Sequence, residues 1–337
     1  MSISAVILAH RRLPELDLVL DRLAELPVSE VLVAGDGTGD AAVSVARHDD
    51  SVKLIEPAVG VDIGIAGRNV AASKATGEFL LMLDDDSYPL PGSIETMVAT
   101  FRRQPRLGVL GGLVREIDAQ GRVVSQNEPG TFDWFLRAGA IDSMPRQGIP
   151  AIFFPEGACI IRRQAFLQVG GFFEPYFLTL SELDLATRML AHGWDVRYLP
   201  QAAFDHLKHE SSELRQRPRD HGSPGLSSDH LKLQLRIRNQ VWYFWMRFPA
   251  LLALRRIPAY LAFDLLECIY RGVPSAWLAG VRAAWRERDR VRDARSPLPR
   301  DSVRRAERNR GRMHVRLLAA SVRTRWIRVG DVRRALT

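Results

Sequence analysis

Two hydrophobic periods alternate along the first two hundred residues. An apolar run over residues 2–9 is followed by Leu16, Val19, Leu20, Leu23 and Leu26 at helical spacing, closed by Pro27. A second apolar run, residues 30–34, ends in a glycine-rich loop. A short helix over residues 41–47 and a third strand over 52–55 continue the series. Strand, helix, strand, helix, strand in this order predicts a parallel sheet covered by helices. Small residues at Ala71, Ala72, Ser73 and Ala75 predict another helix, which delivers the chain to Phe79–Leu83. Five apolar residues in a row read as a strand buried on both faces. Beyond it the pattern predicts an amphipathic helix over 93–103 and a strand over 107–114. A strand pattern broken by Gly157 precedes a helix over 163–169, a second helix ends at Gly193, and a strand runs over 196–200. Residues 207–230, poor in apolar side chains, read as a mobile loop or linker. Helical spacing resumes from Leu231 to about Arg295, and residues 296–310 read as a loose connection.

Composition narrows this picture only at the edges. A chain of 337 residues with 46% apolar content has room for two domains, or one large domain with an extension. Cys159 and Cys268, far apart, imply neither a disulfide framework nor a zinc site. The N-terminus lacks a basic leader, so no signal peptide is expected, and charged residues interrupt every long apolar stretch, so no spanning helix is expected. Charge is uneven: residues 231–337 carry a net +17, leaving −9 on residues 1–230 of an overall +8. An acidic body with a basic tail suggests two different jobs.

The chemistry centres on Asp84-Asp85-Asp86, which leave the buried strand at its C-terminal end, where open α/β sheets receive ligands. Three crowded carboxylates raise one another's pKa unless a cation neutralises them, and oxygen donors suit Mg²⁺ or Mn²⁺. The alternative is a solvated acidic turn before Pro89-Leu90-Pro91. Three more elements follow strands or open helices: Asp36, Glu182 with Asp184, and His206. Singly, Asp36 could cap a helix, the acids at 182 and 184 could be helix N-terminal charges, and the histidine could be a surface residue.

Together these pieces resemble the family 2 glycosyltransferases, inverting enzymes of GT-A fold. The resemblance runs from Ile3 to His206 and rests on Ala5-Val6-Ile7-Leu8, Asp36-Gly37-Thr38-Gly39-Asp40, Arg68-Asn69 and Asp84-Asp85-Asp86. It continues through Gly157, Ile161-Arg162-Arg163, Val169-Gly170-Gly171-Phe172, Glu182-Leu183-Asp184 with Arg188, and Pro200 with His206. Within the family the chain looks most like the bacterial branch that builds cell-surface polysaccharides, including rhamnosyl- and galactofuranosyl-transferases. The resemblance implies a Rossmann-like, mostly parallel sheet with helices on both faces, a nucleotide-diphosphate sugar donor, and a saccharide or lipid-linked acceptor. It implies Asp36 on the nucleobase, Arg68, Asp84 and Asp85 on the nucleotide, and Asp86 with His206 on a divalent metal ion. Where the family carries a Glu-Asp pair, this chain has Ser181-Glu182, which makes the expected base a glutamate, with Asp184 as the alternative. Gly35 likewise replaces the first of the family's paired aspartates.

The expected division is a catalytic domain over residues 1–206, a linker over 207–230 and a basic, aromatic-rich helical region over 231–337. Aromatic residues interleaved with arginine between Trp242 and Trp285 suit either a membrane interface, with the rings at headgroup level, or packing on the catalytic domain. The first option gives a cytoplasmic enzyme peripheral to the inner face of the cell membrane. No nucleic-acid module accompanies the arginine-rich tail, so no nucleic-acid partner is expected. A sugar-nucleotide-forming nucleotidyltransferase and a catalytically silent sugar-nucleotide-binding protein stand as alternative functions.

Overall fold

The computed structural model describes residues 2–10, 13–48, 50–56, 63–127, 131–132, 138–139, 149–150, 154–207, 228–270, 272–299 and 301. The expected linker and the loose connection after residue 301 lie largely outside these. The strands are β1 (Ile3–Leu8), β2 (Glu30–Ala34), β3 (Val52–Ile55), β4 (Phe79–Asp84), β5 (Ser87–Pro89), β6 (Leu107–Ile117) and β7 (Val123–Asn127). They continue with β8 (Thr131–Phe132), β9 (Ala138–Gly139), β10 (Ile149–Pro150), β11 (Ala158–Arg162) and β12 (Asp195–Leu207). The main sheet has the order β10-β12-β6-β11-β4-β1-β2-β3. Strands β3, β2, β1 and β4 run parallel, β11 is inserted antiparallel between β4 and β6, and β12 pairs parallel with β6.

Helices α1 (Leu13–Ala24), α2 (Asp40–Val45), α3 (Ala66–Lys74), α4 (Ser93–Arg103), α5 (Arg163–Gln168) and α6 (Ser181–Ala191) accompany the sheet. Strand β4 shows why two layers form. Phe79, Leu81 and Leu83 pack with Leu16 and Leu20 of α1 and Met97 and Phe101 of α4. The alternate residues Leu80 and Met82 pack with Ala71 and Ala72 of α3, Phe166 of α5 and Met189 of α6. A period of two therefore feeds two cores, each buried side chain contributing about 1.5–3 kcal/mol. Helix α3 lies close to the sheet because a Cβ at Gly67 would sit 2.9 Å from Leu8 Cδ1 and 3.1 Å from the Ala34 Cβ.

One expected boundary moves. The strand expected over 196–200 runs on to Leu207, because the register with β6 shifts between Leu199 and Ala203. A bulge there accommodates Pro200, which cannot donate to the ladder. The second half of β12 then pairs with β5.

The C-terminal region folds into α7 (Ser228–Arg247), α8 (Ala250–Tyr270), α9 (Pro274–Arg286) and α10 (Asp289–Arg292). Its aromatic residues chiefly make a third core: Trp242, Tyr243, Phe244, Phe248 and Tyr260 are buried together with Tyr176 and Leu183 from the sheet-bearing part of the chain. Of the two alternatives for these rings, packing describes these five, and Trp245 and Trp285 remain exposed. Among the described residues, no helix is long and apolar enough to cross a membrane.

Candidate active site

The C-terminal ends of β1, β2 and β4 lie side by side, with Leu8 in register with both Ala34 and Asp84. The residues that follow these strands therefore converge on one edge of the sheet. Asp36 does not cap α2, whose N-cap Gly39 carries no side-chain cap. Instead Asp36 Oδ1 accepts from Thr38 N at 3.1 Å and from Thr38 Oγ1 at 2.5 Å, while Oδ2 lies 3.1 Å from His10 Nδ1. The backbone N–H of His10 donates to Asp85 Oδ2 at 2.6 Å. Asp85, expected at the nucleotide, is buried and ties the end of β1 to the acidic turn.

After Asp86 the chain turns back as β5 and pairs with the end of β12, placing Ser87 opposite His206. His206 Nε2 thereby comes within 3.3 Å of Asp86 Oδ1. Among the described residues, Asp84, Asp86 and His206 form a group whose potential ligand atoms all lie within 4.8 Å of one another. Two carboxylates and one imidazole fit a hard or borderline divalent ion such as Mg²⁺ or Mn²⁺. Asp84, expected on the nucleotide, thus joins Asp86 and His206 in the group that could hold a metal ion.

The site is braced from behind. Arg68, expected at the nucleotide, is fully buried; its Nη1 donates to Leu83 O at 2.8 Å and its Nη2 to Asp84 Oδ1. Its guanidinium offsets acidic charge inside the protein. Ser87 Oγ accepts from Asp84 N at 2.9 Å and donates to Gly157 O at 2.7 Å, which fixes the turn. A Cβ at residue 157 would overlap the Asp84 carboxylate, so glycine there leaves room for it.

Glu182 stands in the first turn of α6 beside a second acid that the sequence pattern did not single out. Ser181 Oγ donates to Glu156 Oε2 at 2.7 Å and lies 3.3 Å from Glu182 Oε2. Burial, with repulsion from Glu156, pushes the Glu182 carboxyl up to about 8 against its own backbone and Ser181 hydrogen bonds. Burial likewise raises Glu156, with Asp84 adding to it and Arg68 and Ser181 opposing. A carboxyl in this range is a competent general base near neutral to mildly alkaline pH.

Asp184 does not join them. Two positions along a helix turn the side chain to the far face. Asp184 is fully buried there, accepting from Arg188 Nε at 2.8 Å and Arg247 Nε at 2.5 Å. Burial alone would raise its carboxyl, but the two guanidinium groups hold it below the ordinary range. With both oxygens engaged, it fits a structural anion better than the alternative base. A cavity of about 770 Å³ opens on this side, lined by Phe173, Glu174, Arg188, His192 and Arg247 among others, and none of the acidic cluster lines it.

Comparison with known proteins agrees with this geometry. Residues 4–170 match the profile described as Glycosyl transferase family 2. The N-acetylglucosaminyl-diphospho-decaprenol L-rhamnosyltransferase of Mycobacterium tuberculosis, in two strains, is 28% identical over 218 residues, spanning 57% of this chain and 71% of the relative. Among solved structures, GalNAc-T7 with UDP, GalNAc and Mn²⁺ is similar at a TM-score of 0.56 and 14% identity. The match covers 74% of this chain but 48% of that one, so this chain spans about half of it. TarS of S. aureus in complex with UDP-GlcNAc is similar at a TM-score of 0.54 and 16% identity, over 83% of this chain and 79% of that one. With the matched domain built on the GT-A sheet, this chain belongs to the family 2 glycosyltransferases.

Proposed function

We propose that this glycosyltransferase moves a sugar from a nucleoside-diphosphate donor to a hydroxyl of a lipid-linked saccharide, in cell-wall or surface glycolipid synthesis. The observation that carries the reading is the convergence of Asp84, Asp86 and His206 within 4.8 Å at the sheet edge that also holds Asp36. The likeness to a rhamnosyltransferase named for a diphospho-decaprenol-linked N-acetylglucosamine supports rhamnose as the first sugar to try and a polyprenyl-diphosphate saccharide as acceptor.

In this mechanism Asp36 and the Gly37–Gly39 loop receive the nucleobase, and Asp84, braced by Arg68, faces the nucleotide's ribose and phosphates. A divalent ion held by Asp84, Asp86 and His206 would offset the negative charge that gathers on the departing diphosphate. Glu182 takes the proton of the acceptor hydroxyl, whose oxygen attacks the anomeric carbon from the face opposite the leaving group. One displacement with one base gives inversion. Burial, with the charge of Glu156 adding to it, keeps Glu182 basic. Residues 1–206 supply this chemistry, and the helices between Ser228 and Arg292 pack against the 176–184 segment.

The outward face of α8 supports a peripheral position on the inner face of the cell membrane. Leu251, Leu254, Leu266 and Ile269 recur at helical spacing, each more than half exposed, with Arg255 beside them. Leucines with flanking arginine suit an anionic lipid interface.

The test incubates the protein with UDP-, GDP- and dTDP-sugars, Mn²⁺ and a polyprenyl-diphosphate N-acetylglucosamine. Nucleoside diphosphate release with sugar gained by the lipid is expected. Pyrophosphate released from a nucleoside triphosphate and a sugar phosphate, with no transfer, would overturn the reading.

A further inference from the structure

The helical region holds the loop that presents Glu182. That loop is strained: Phe177, Thr179 and Leu180 have φ of 63°, 64° and 65°, three non-glycine residues in the left-handed region within four positions. Such residues persist only where the surroundings over-determine them. Chief among the surroundings here is one side chain in the middle of α7. Asn239, fully buried, shares its two amide N–H groups among Tyr176 O at 3.1 Å, Leu178 O at 2.7 Å and Thr179 O at 3.0 Å, with Thr179 Oγ1 at 3.3 Å.

The orientation of that amide is itself fixed. Arg238 Nε donates to Asn239 Oδ1 at 3.0 Å, which turns the nitrogen to the loop. Arg238 Nη2 donates to Pro175 O and Tyr176 O, both at 3.0 Å, and Nη1 donates to Glu287 of α10's approach at 3.0 Å. Its guanidinium stacks 4.4 Å from the Trp242 ring centroid. At the end of the same helix, Arg247 binds Asp184, two residues beyond Glu182. Helix α7 therefore grips the chain on both sides of Glu182, before it through Asn239 and after it through Arg247.

We propose that Asn239, aligned by Arg238, is a positioning residue of the transferase: it sets where Glu182 stands by holding the carbonyls of Tyr176, Leu178 and Thr179 in their strained path. The inference rests on Glu182 acting as the base. The helical region is then part of the catalytic unit. An ångström of misplacement at a base costs about a hundredfold in rate.

The experiment compares Asn239→Ala with Arg236→Gln. The second variant breaks the ion pair of Arg236 with Asp264 at 2.9 Å inside the same helical region without touching the loop. With Asn239→Ala, kcat should fall about a hundredfold, while KM for the donor and calorimetric binding of nucleoside diphosphate with Mn²⁺ stay within about threefold. Arg236→Gln should lower the Tm yet keep kcat within about twofold. Equal loss of kcat in both variants, or retained kcat in Asn239→Ala, would overturn the inference. If Asn239→Ala does not fold, Arg238→Met, which frees the amide to turn, takes its place with the same expectation. Amide hydrogen exchange at residues 177–182 provides a readout that needs no turnover. Faster exchange in the Asn239 or Arg238 variant but not in Arg236→Gln supports the inference, and equal exchange overturns it. A wild-type protein that transfers no sugar would instead refute the proposed function and leave the exchange result to decide this one.

Discussion

Replacing Glu156 by Gln should make the enzyme work at lower pH. The Ser181 hydroxyl lies 2.7 Å from Glu156 and 3.3 Å from Glu182, so the two carboxylates face each other across no more than about 6 Å. At an effective dielectric of about 20, a unit charge at that distance is worth about 3 kcal/mol, or about two pH units on its neighbour. Burial is the larger cause of the raised Glu182 carboxyl and Arg68 opposes part of the charge on Glu156, so a smaller shift is expected. The working expectation is about one unit. The assay is the pH profile of kcat/KM for nucleoside diphosphate release, whose acid limb reports the base of the free enzyme. In the wild type that limb should have its midpoint near 8, and in Glu156→Gln near 7. Stability should follow the same group. The folded protein keeps a proton that the unfolded chain releases near 4.5, so this contribution is present at low pH and lost as pH rises through about 8. In Glu156→Gln the loss should end about one unit lower and be correspondingly smaller. An acid limb that stays in place or moves upward would refute the coupling of the two acids.

Other consequences can be checked as directly. Asp86→Asn should abolish Mn²⁺-stimulated turnover while the circular dichroism spectrum and Tm persist; full activity would remove Asp86 from the metal set. Asp184→Asn should destabilise by about 3–5 kcal/mol in urea unfolding, because Arg188 and Arg247 lose the charge they are buried with. In the wild type the Asp184 contribution is present above the ordinary carboxylate range and lost as pH falls through its lowered value. Glu30 is pushed up by burial yet held at about 2 by Ser4, Thr76 and Lys53. Glu30→Gln should therefore flatten the loss of stability between about pH 4.5 and 2, by up to about 3 kcal/mol. Leu254→Glu with Leu266→Glu should release the protein from anionic liposomes in a flotation assay; equal flotation would move the membrane contact elsewhere.

The parts of the fold legible in the sequence are those set by local pattern. Strand β4 and helix α4 lie where the apolar spacing puts them, and Asp84–Asp86 leave the sheet at the edge expected. His206 was harder, because Pro200 looks like a strand end until the bulge beside it is seen. Glu156 carried no signal beyond its place between Pro155 and Gly157, a combination that reads as a turn. Its role comes from α6 arriving beside it, 25 positions later in the chain. The burial of Asp184 was half legible, since helix geometry separates residues two apart. Its partner Arg247, 63 positions away, was not, because nothing local links them.

The bulge in β12 has an evolutionary consequence. Side chains on a strand alternate between faces, so one residue more between Leu199 and Ala203 would move Asp205 into the place His206 holds now. Asp205 now lies on the other face, where Arg115 donates to its two oxygens at 2.7 and 3.0 Å. A single-codon insertion at this spot would offer the acidic cluster a carboxylate in place of an imidazole, without mutating either residue. Descendants of this chain could thus trade metal preference by changing the count of residues, leaving their identities alone.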